Sequence, residues 1–456
     1  MTVFVPARNE LRACLSLSIP LASAQLAQSM NGFVDTLMMG TLGSQYLAAG
    51  GLGATTFTFL QLINTGLLSA ISPLASEAHG RGESDYVAQT TVQGLWLSFV
   101  VSIPVTILLW NSAPLLRMLG QEETITVLAA SYLRAIALGY FPALLFVVLK
   151  NFVSALSRPK PVMVIMVAGV ALNAIANYVF IFGAFGFPAL GLVGVGWAST
   201  VSYWVMSITL GAYILWRSPF KAYRIWHRIT QIRWHILREV CRLGLPIAML
   251  AIFETGLFSL TTFLAGRFGF STLAAHHIAL QTAAICFMVP FGISQATTVR
   301  VGQFIGQCQI SAARLAGYVG IATGAAFMAV MALLMMILPK TIISLYLDLD
   351  DPQNSEVITI AIALLGVAAM FQILDGIQVT ALGALRGIKD TRIPMGIGII
   401  AYWGIGFTGG YISGFQLGMG GVGLWLGLAM GLGVAAIALT WRFHYLMLLP
   451  GRSPHP

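Results

Sequence analysis

Long apolar runs alternate with short polar breaks along the whole chain. Read between charges and turn residues, the runs fall at about 13–39, 46–75, 88–110, 126–149, 161–183, 191–216, 243–266, 273–299, 312–338, 357–382, 393–414 and 418–441. Each approaches or exceeds the roughly 20 apolar residues that a helix needs to cross a bilayer. They are too long and too uniformly apolar for the alternating strands of a membrane barrel, and a hydrocarbon core otherwise admits only helices. The pattern predicts an all-α polytopic membrane protein with twelve transmembrane helices.

Composition agrees. Of 456 residues, 58% are apolar types and only 9% are Asp, Glu, Lys or Arg, against about 25% charged in soluble domains. Such a chain cannot cover a soluble surface, which excludes an ordinary cytosolic enzyme, a secreted disulfide scaffold and a disordered chain. The four cysteines, Cys14, Cys241, Cys286 and Cys308, are scattered and read as apolar fillers. No small-residue cleavage site follows the first apolar stretch, which reads as a retained span.

The net charge of +9 comes from basic residues between the runs, not from a basic domain, so no nucleic-acid partner is expected. With the N-terminus placed in the cytoplasm, only Arg117, Arg134, Arg267 and Lys340 of the 24 Lys and Arg fall on the outer side. The rest, Arg452 included, fall on the inner side. This asymmetry supports both the span count and cytoplasmic N- and C-termini in a bacterial inner membrane. The longest polar interruption, 217–242, carries seven Lys/Arg with Tyr223, Trp226 and Trp234 between them. It reads as a cytoplasmic linker lying on anionic headgroups.

The two sides of that linker resemble each other. At a shift of 226 residues Pro20 meets Pro246, Leu47-Ala48-Ala49 meets Leu273-Ala274-Ala275, Gly66 meets Gly292 and Gly80 meets Gly306. Further on, Ala155-Leu156 meets Ala384-Leu385, and Gly194-Val195-Gly196 meets Gly421-Val422-Gly423. Six spans return the chain to its starting side, so the halves are parallel repeats, an arrangement typical of transporters. The expected organisation is an N-terminal six-helix lobe at 1–216, the linker at 217–242 and a pseudo-symmetric C-terminal six-helix lobe at 243–456. Pro20 and Pro246 fall in the first turns of their predicted spans, where proline is tolerated.

Of the fifteen carboxylates, three fall within apolar spans: Asp35, Glu254 and Asp375. Insertion of all three, charged and unpaired, costs about 8–10 kcal/mol. No basic residue lies at similar depth in the predicted spans. Protonation, a bound cation or a water-filled cavity would relieve the cost, and all three point to cation handling. Gln28, Asn31 and Asp35 make one polar stripe at i, i+3, i+7; Asn173 and Asn177 share a face at i, i+4; Gln372, Asp375 and Gln378 repeat the pattern. The amides serve equally as cation ligands, substrate contacts or interhelical hydrogen bonds.

Other chemistry is missing. No GxxxxGK[ST], GxSxG or HExxH occurs, so an enzyme is not expected. His276 and His277 are adjacent and cannot share one helix face, and Asp348, Asp350 and Asp351 have no second Asp-rich partner motif. A lipid-linked precursor flippase remains the alternative, although it would place basic residues in its cavity. A membrane prenyl transferase would need paired Asp-rich motifs.

Several segments together carry a family resemblance: MNGFVDTLMMG at 30–40, ALNAIANYVFIFG at 171–183, GLPIAMLAIFETGLF at 244–258, VRVGQFIGQ at 299–307 and QILDGIQVTALGALRGIKDTRIP at 372–394. The chain resembles the multidrug and toxic compound extrusion (MATE) transporters, in particular their NorM-like branch, over nearly its whole length. The resemblance implies two six-helix lobes arranged as a V. It also implies antiport: export of small organic, often cationic, compounds in exchange for sodium or protons, with no resident cofactor. Asp35 matches the first-helix carboxylate, Asn173 and Asn177 the amides near it, and Glu254 and Asp375 the C-lobe acids associated with the coupling cation, sodium included. Phe371 and Gln372 depart from some relatives just before the tenth-span acid. The oligomeric state stays open and is compatible with a monomer.

Overall fold

A computed structural model describes residues 7–448. Arg452, counted among the inner basic residues, lies outside them. In chain order the helices are α1 (Ala7–Thr41), α2 (Ser44–Leu68), α3 (Ile71–Gly80), α4 (Ser84–Trp110), α5 (Ser112–Met118), α6 (Glu123–Ala137), α7 (Tyr140–Ala155), α8 (Lys160–Phe182) and α9 (Leu192–Trp216). Then come α10 (Trp234–Gly266), α11 (Phe270–Gly306), α12 (Ile310–Ile337), α13 (Pro339–Ile343), α14 (Ser355–Gly387), α15 (Arg392–Ile399), α16 (Thr408–Tyr411) and α17 (Gly420–Leu448). Wide π-type turns at Ile400–Phe407 and Ile412–Gln416 join α15 and α16 into one helical stretch ending at Gln416.

Among the described residues, ten helical stretches are long and apolar enough to cross a bilayer; an eleventh is the pair α6 and α7, bent by 47°, taken as one. Predicted spans two to twelve each fall on one of these. The first predicted span is α1, 35 residues long but interrupted by Gln25, Gln28, Asn31 and Asp35, and it is not among the eleven. The protein is a multi-pass membrane protein.

The chain divides into two compact units: Ser23–Ala248, and Met1–Ala22 together with Met249–Pro456. The sequence reading divides the chain at loops, whereas this division passes through α1 and α10. Pro20 and Pro246 each lie two residues before it. Both prolines sit more than three turns inside their helices, not in the first turn as the sequence implied. There each removes an i→i−4 hydrogen bond, and the freed carbonyl has no backbone donor in its own ladder.

In the N-terminal unit a core runs through Phe57, Tyr132, Tyr140, Phe152 and Leu210. Tyr140 is threaded into α2: its hydroxyl donates to the Leu60 carbonyl at 2.8 Å and accepts from Asn64 Nδ2 at 2.7 Å. The stretch 217–242 is anchored to the N-terminal unit by part of its residues. Two short 3₁₀ turns bury Phe220, Tyr223 and Ile225, with Phe220 and Tyr223 edge-on to Phe152. α4 then reads the linker backbone: Trp96 Nε1 donates to Ile229 O at 2.6 Å and Gln93 Nε2 to Gln231 O at 2.9 Å, while Gln93 Oε1 accepts from Arg233 N at 3.2 Å. Buried polar groups need partners, and α4 supplies them from one face. The opposite side of the segment is open, with Trp234 73% exposed.

In the C-terminal unit α14 is the central helix, packed against α11, α12 and α17. The stretch from α15 to α16 is held against α17 by small residues. Gly406, Gly410 and Gly414 recur every four residues opposite Gly423, Gly427 and Gly431 of α17, and a Cβ on Gly427 would lie 2.2 Å from Gly410 Cα. Lipid offers no hydrophobic drive between helices, so close backbone approach through such small-residue stripes is what packs them. The first turns of α1 also belong here. Leu17 and Leu21 pack on Ala296 and Val299 of α11.

Candidate functional site

Each unit holds one polar cluster among its apolar helices. In the N-terminal unit, α1 carries Asp35, α8 carries Asn173 and Asn177 one turn apart, and α9 carries Ser199. Asn177 Nδ2 donates to Asp35 Oδ1 at 2.7 Å and to Asn173 Oδ1 at 3.1 Å. Ser199 Oγ donates to Asp35 Oδ2 at 2.9 Å and accepts from Asn173 Nδ2 at 3.3 Å. The four side chains form a closed ring in which both carboxylate oxygens accept. Every donor is neutral, and no basic side chain of the described residues forms an ion pair with Asp35. Tyr132 and Tyr203 lie within electrostatic range, and Tyr203 stacks on Phe57.

The rest of the expected stripe on α1 is split. Asn31 is half-buried one turn before Asp35, and its Oδ1 is buried without a hydrogen-bond partner, as is Asn177 Oδ1. Gln28 is exposed and outside the ring. The unpartnered amide oxygens beside an acceptor-only carboxylate make an oxygen-rich site of the kind that hard cations and protonated amines prefer.

In the C-terminal unit, α10 carries Glu254 and α14 carries Asp375 and Gln378, and these three come together. Asp375 is buried, Glu254 is half-buried, and the two acids repel each other electrostatically. Gln378 lies against Glu254 and donates its amide to the Tyr402 hydroxyl. Arg386, about three turns beyond Asp375 on α14, interacts with both Glu254 and Tyr402. No basic residue is expected at the depth of the buried acids, and Arg386 lies beyond the predicted span, near the helix end, with its charge acting on Glu254 from there. Gln372 does not join the cluster. It faces α11, its Nε2 at 3.5 Å from Ala283 O, with its Oε1 buried and unpartnered. Phe371 packs edge-on against Phe258 and Trp425.

Ser199, Tyr402 and Arg386 complete the clusters and were missed in the sequence. A lone serine or tyrosine in a span carries no pattern, and Arg386 reads as a topogenic charge. His276 is buried with both ring nitrogens engaged, Nε2 with Thr262 Oγ1 at 2.9 Å and Nδ1 accepting from Trp425 Nε1 at 3.1 Å.

Residues 20–179 and 246–412 both match the MatE family. The matched blocks begin at Pro20 and Pro246, the register of the internal repeat. The chain is 42% identical over 439 residues to a probable multidrug resistance protein NorM of Synechocystis sp., covering 96% of this chain and 95% of the relative. It is 40% identical over 440 residues to a protein of the same description from Pseudomonas syringae pv. tomato, with 96% of each covered. The fold is similar to the crystal structure of the eukaryotic MATE transporter AtDTX14, with a TM-score of 0.83 at 20% identity over 97% of this chain and 96% of that one. It is also similar to a MATE crystallised with MaL6, with a TM-score of 0.87 at 21% identity over 96% of each.

Proposed function

The chain belongs to the MatE family, and on that premise we propose that it is a multidrug efflux transporter exporting small organic, often cationic, compounds. Export is coupled by alternating access to inward movement of sodium or protons. The observation that carries this reading is the Asp35 ring, a carboxylate held by neutral donors inside membrane-spanning helices. It can take up a cation without first giving up an ion pair. Glu254 and Asp375 supply a second acidic site, where sodium, if it is the coupling ion, is held. The cycle needs no resident cofactor and is transport rather than catalysis. Nothing in the site or the relatives favours the flippase reading.

The energetics permit the coupling. One monovalent cation moving inward gains about 2.3 kcal/mol per 100 mV, and a tenfold gradient adds about 1.4 kcal/mol. A membrane at about 150 mV then gives roughly 5 kcal/mol per ion, enough for a gradient of a few thousandfold in a neutral substrate. One-for-one exchange with a cationic drug cancels the voltage term, so such a drug needs more ions or a steeper gradient. The excess of Lys and Arg on one side of the predicted spans supports cytoplasmic termini in a bacterial inner membrane.

The test is ethidium efflux from energised vesicles with sodium and proton gradients imposed independently. One gradient is expected to drive efflux. Asp35→Asn, Glu254→Gln and Asp375→Asn are each expected to abolish it; full efflux in all three variants rejects the carboxylate mechanism.

A further inference from the structure

Lined by none of the residues of either polar cluster, an apolar groove of about 510 Å³ opens on the C-terminal unit. Its walls are Tyr318 of α12, Leu374 and Ile377 of α14, and Ile437, Trp441 and His444 of α17. Ile437 is 71% and Trp441 64% exposed, so the groove opens to the surroundings of the helices, which in a membrane protein are lipid.

Its depth is readable from the helices. α12 starts and α14 ends at one end of the unit, and Arg442 Nε of α17 bonds Asp390 Oδ2 there at 2.9 Å. At about 1.5 Å per residue, Tyr318, with His444 bonded to it, lies roughly 12 Å from that end and Leu374 roughly 20 Å. The groove therefore descends from the interface into the depth of one leaflet's acyl chains, the whole hydrocarbon core being about 30 Å thick. Its upper rim is polar and amphipathic: the Tyr318 hydroxyl bonds His444 Nδ1, and Trp441 stacks on Tyr445. Arg314 lies one turn before Tyr318 on the same face of α12. Apolar walls below and positive charge above match an amphiphile with an anionic head, and basic sites between membrane helices bind such headgroups.

We propose that this groove is a binding site for an anionic phospholipid, one acyl chain lying between α12, α14 and α17 and the phosphate held at Arg314 and His444. The groove floor and Asp375 share one helix, since Leu374 and Ile377 flank that acid in the sequence. A lipid seated there lies against the helix of the acidic cluster.

The test uses the full chain in phosphatidylcholine vesicles doped with phosphatidylglycerol or phosphatidylcholine carrying a photoactivatable diazirine in the acyl chain. Crosslinks are mapped by peptide. Phosphatidylglycerol is expected to label the Ile437–Trp441 peptide several-fold more than phosphatidylcholine does. Arg314→Gln is expected to reduce that labelling about fivefold, the equivalent of about 1 kcal/mol for one basic residue, and to leave phosphatidylcholine unchanged. Ile437→Trp fills the groove and lowers labelling by both lipids. Both substitutions are at half-buried or exposed side chains, and an unchanged melting temperature confirms the fold of each variant. Equal labelling by the two lipids, or phosphatidylglycerol labelling that survives both substitutions, overturns the proposal.

Discussion

Arg300 grips Glu10 with two nitrogens, Nε to Oε1 at 2.9 Å and Nη2 to Oε2 at 2.6 Å, and Glu10 is only 1% exposed. The same guanidinium lies over the Phe304 ring, 4.5 Å from its centroid. Removing one partner of such a pair leaves an uncompensated buried charge and costs about 3–5 kcal/mol. Arg300→Gln is expected to lower the thermal midpoint in detergent clearly more than the double variant Arg300→Gln with Glu10→Gln. Equal losses would mean that the contact contributes through packing alone.

At Asp35 the prediction separates charge from scaffold. Ser199→Ala removes the donor to Oδ2 and leaves the charge; a hydrogen bond to a charged group contributes about 1.5–3 kcal/mol. Efflux is expected to persist with an altered coupling-ion requirement, roughly tenfold or more in half-saturating concentration. Asp35→Asn keeps a side chain of the same shape and is expected to lose efflux outright. Ion titrations of efflux in the two variants distinguish them.

Arg386 offsets the charge of Glu254 in the C-terminal unit, so its removal leaves that acid more attractive to any cation. Arg386→Gln is expected to lower the coupling-ion concentration for half-maximal efflux several-fold and to slow the maximal rate, because release becomes harder. Arg386→Lys is expected to restore both in part. An ion dependence identical to the unsubstituted chain would remove Arg386 from the site.

For the 217–242 segment, the hydrogen bonds from α4 predict slow cleavage despite its many basic residues. Trypsin is expected to cut there much faster in Trp96→Phe combined with Gln93→Ala, which leaves the carbonyls of Ile229 and Gln231 without their donors. Comparing cleavage rates in detergent micelles measures this directly.

The glycine stripe gives a packing test. Gly427→Val places side-chain atoms against the Gly410 backbone, which cannot rotate away. A loss of at least 1–3 kcal/mol, the range for overpacking, is expected in unfolding measurements, roughly. Gly404→Val, where a Cβ meets nothing nearer than 3.8 Å, is expected to be nearly silent.

How much of this was legible beforehand varied with the kind of interaction. Apolar runs report where helices lie, because a lipid-facing and a buried helix share that signature. Asp35, Asn173 and Asn177 stood out because charge and amides are rare at that depth. Ser199 lies 164 residues from Asp35 in sequence, and nothing local marks it as a donor. The anchoring of the 217–242 segment was hidden for a related reason. Its charges describe its outer face, whereas its backbone partners on α4 are set by Trp96 and Gln93, which read as ordinary span residues. Hydropathy registers the solvent that a residue prefers, not the partner it finds. The mid-helix positions of Pro20 and Pro246 were hidden likewise, because both helices extend through polar residues ahead of the apolar run.

The way α1 and α10 are divided bears on how the protein is made. Synthesis delivers α1 before α11, so Glu10 must wait for Arg300, 290 residues later. The opening turns of the chain therefore stay uncommitted while the whole first half is inserted, and their docking onto α11 is a late event. The first half also needs the beginning of α10, since its compact unit runs to Ala248. A nascent chain halted within 217–242 would be unfinished at both ends, and assembly of each half depends on the arrival of the other.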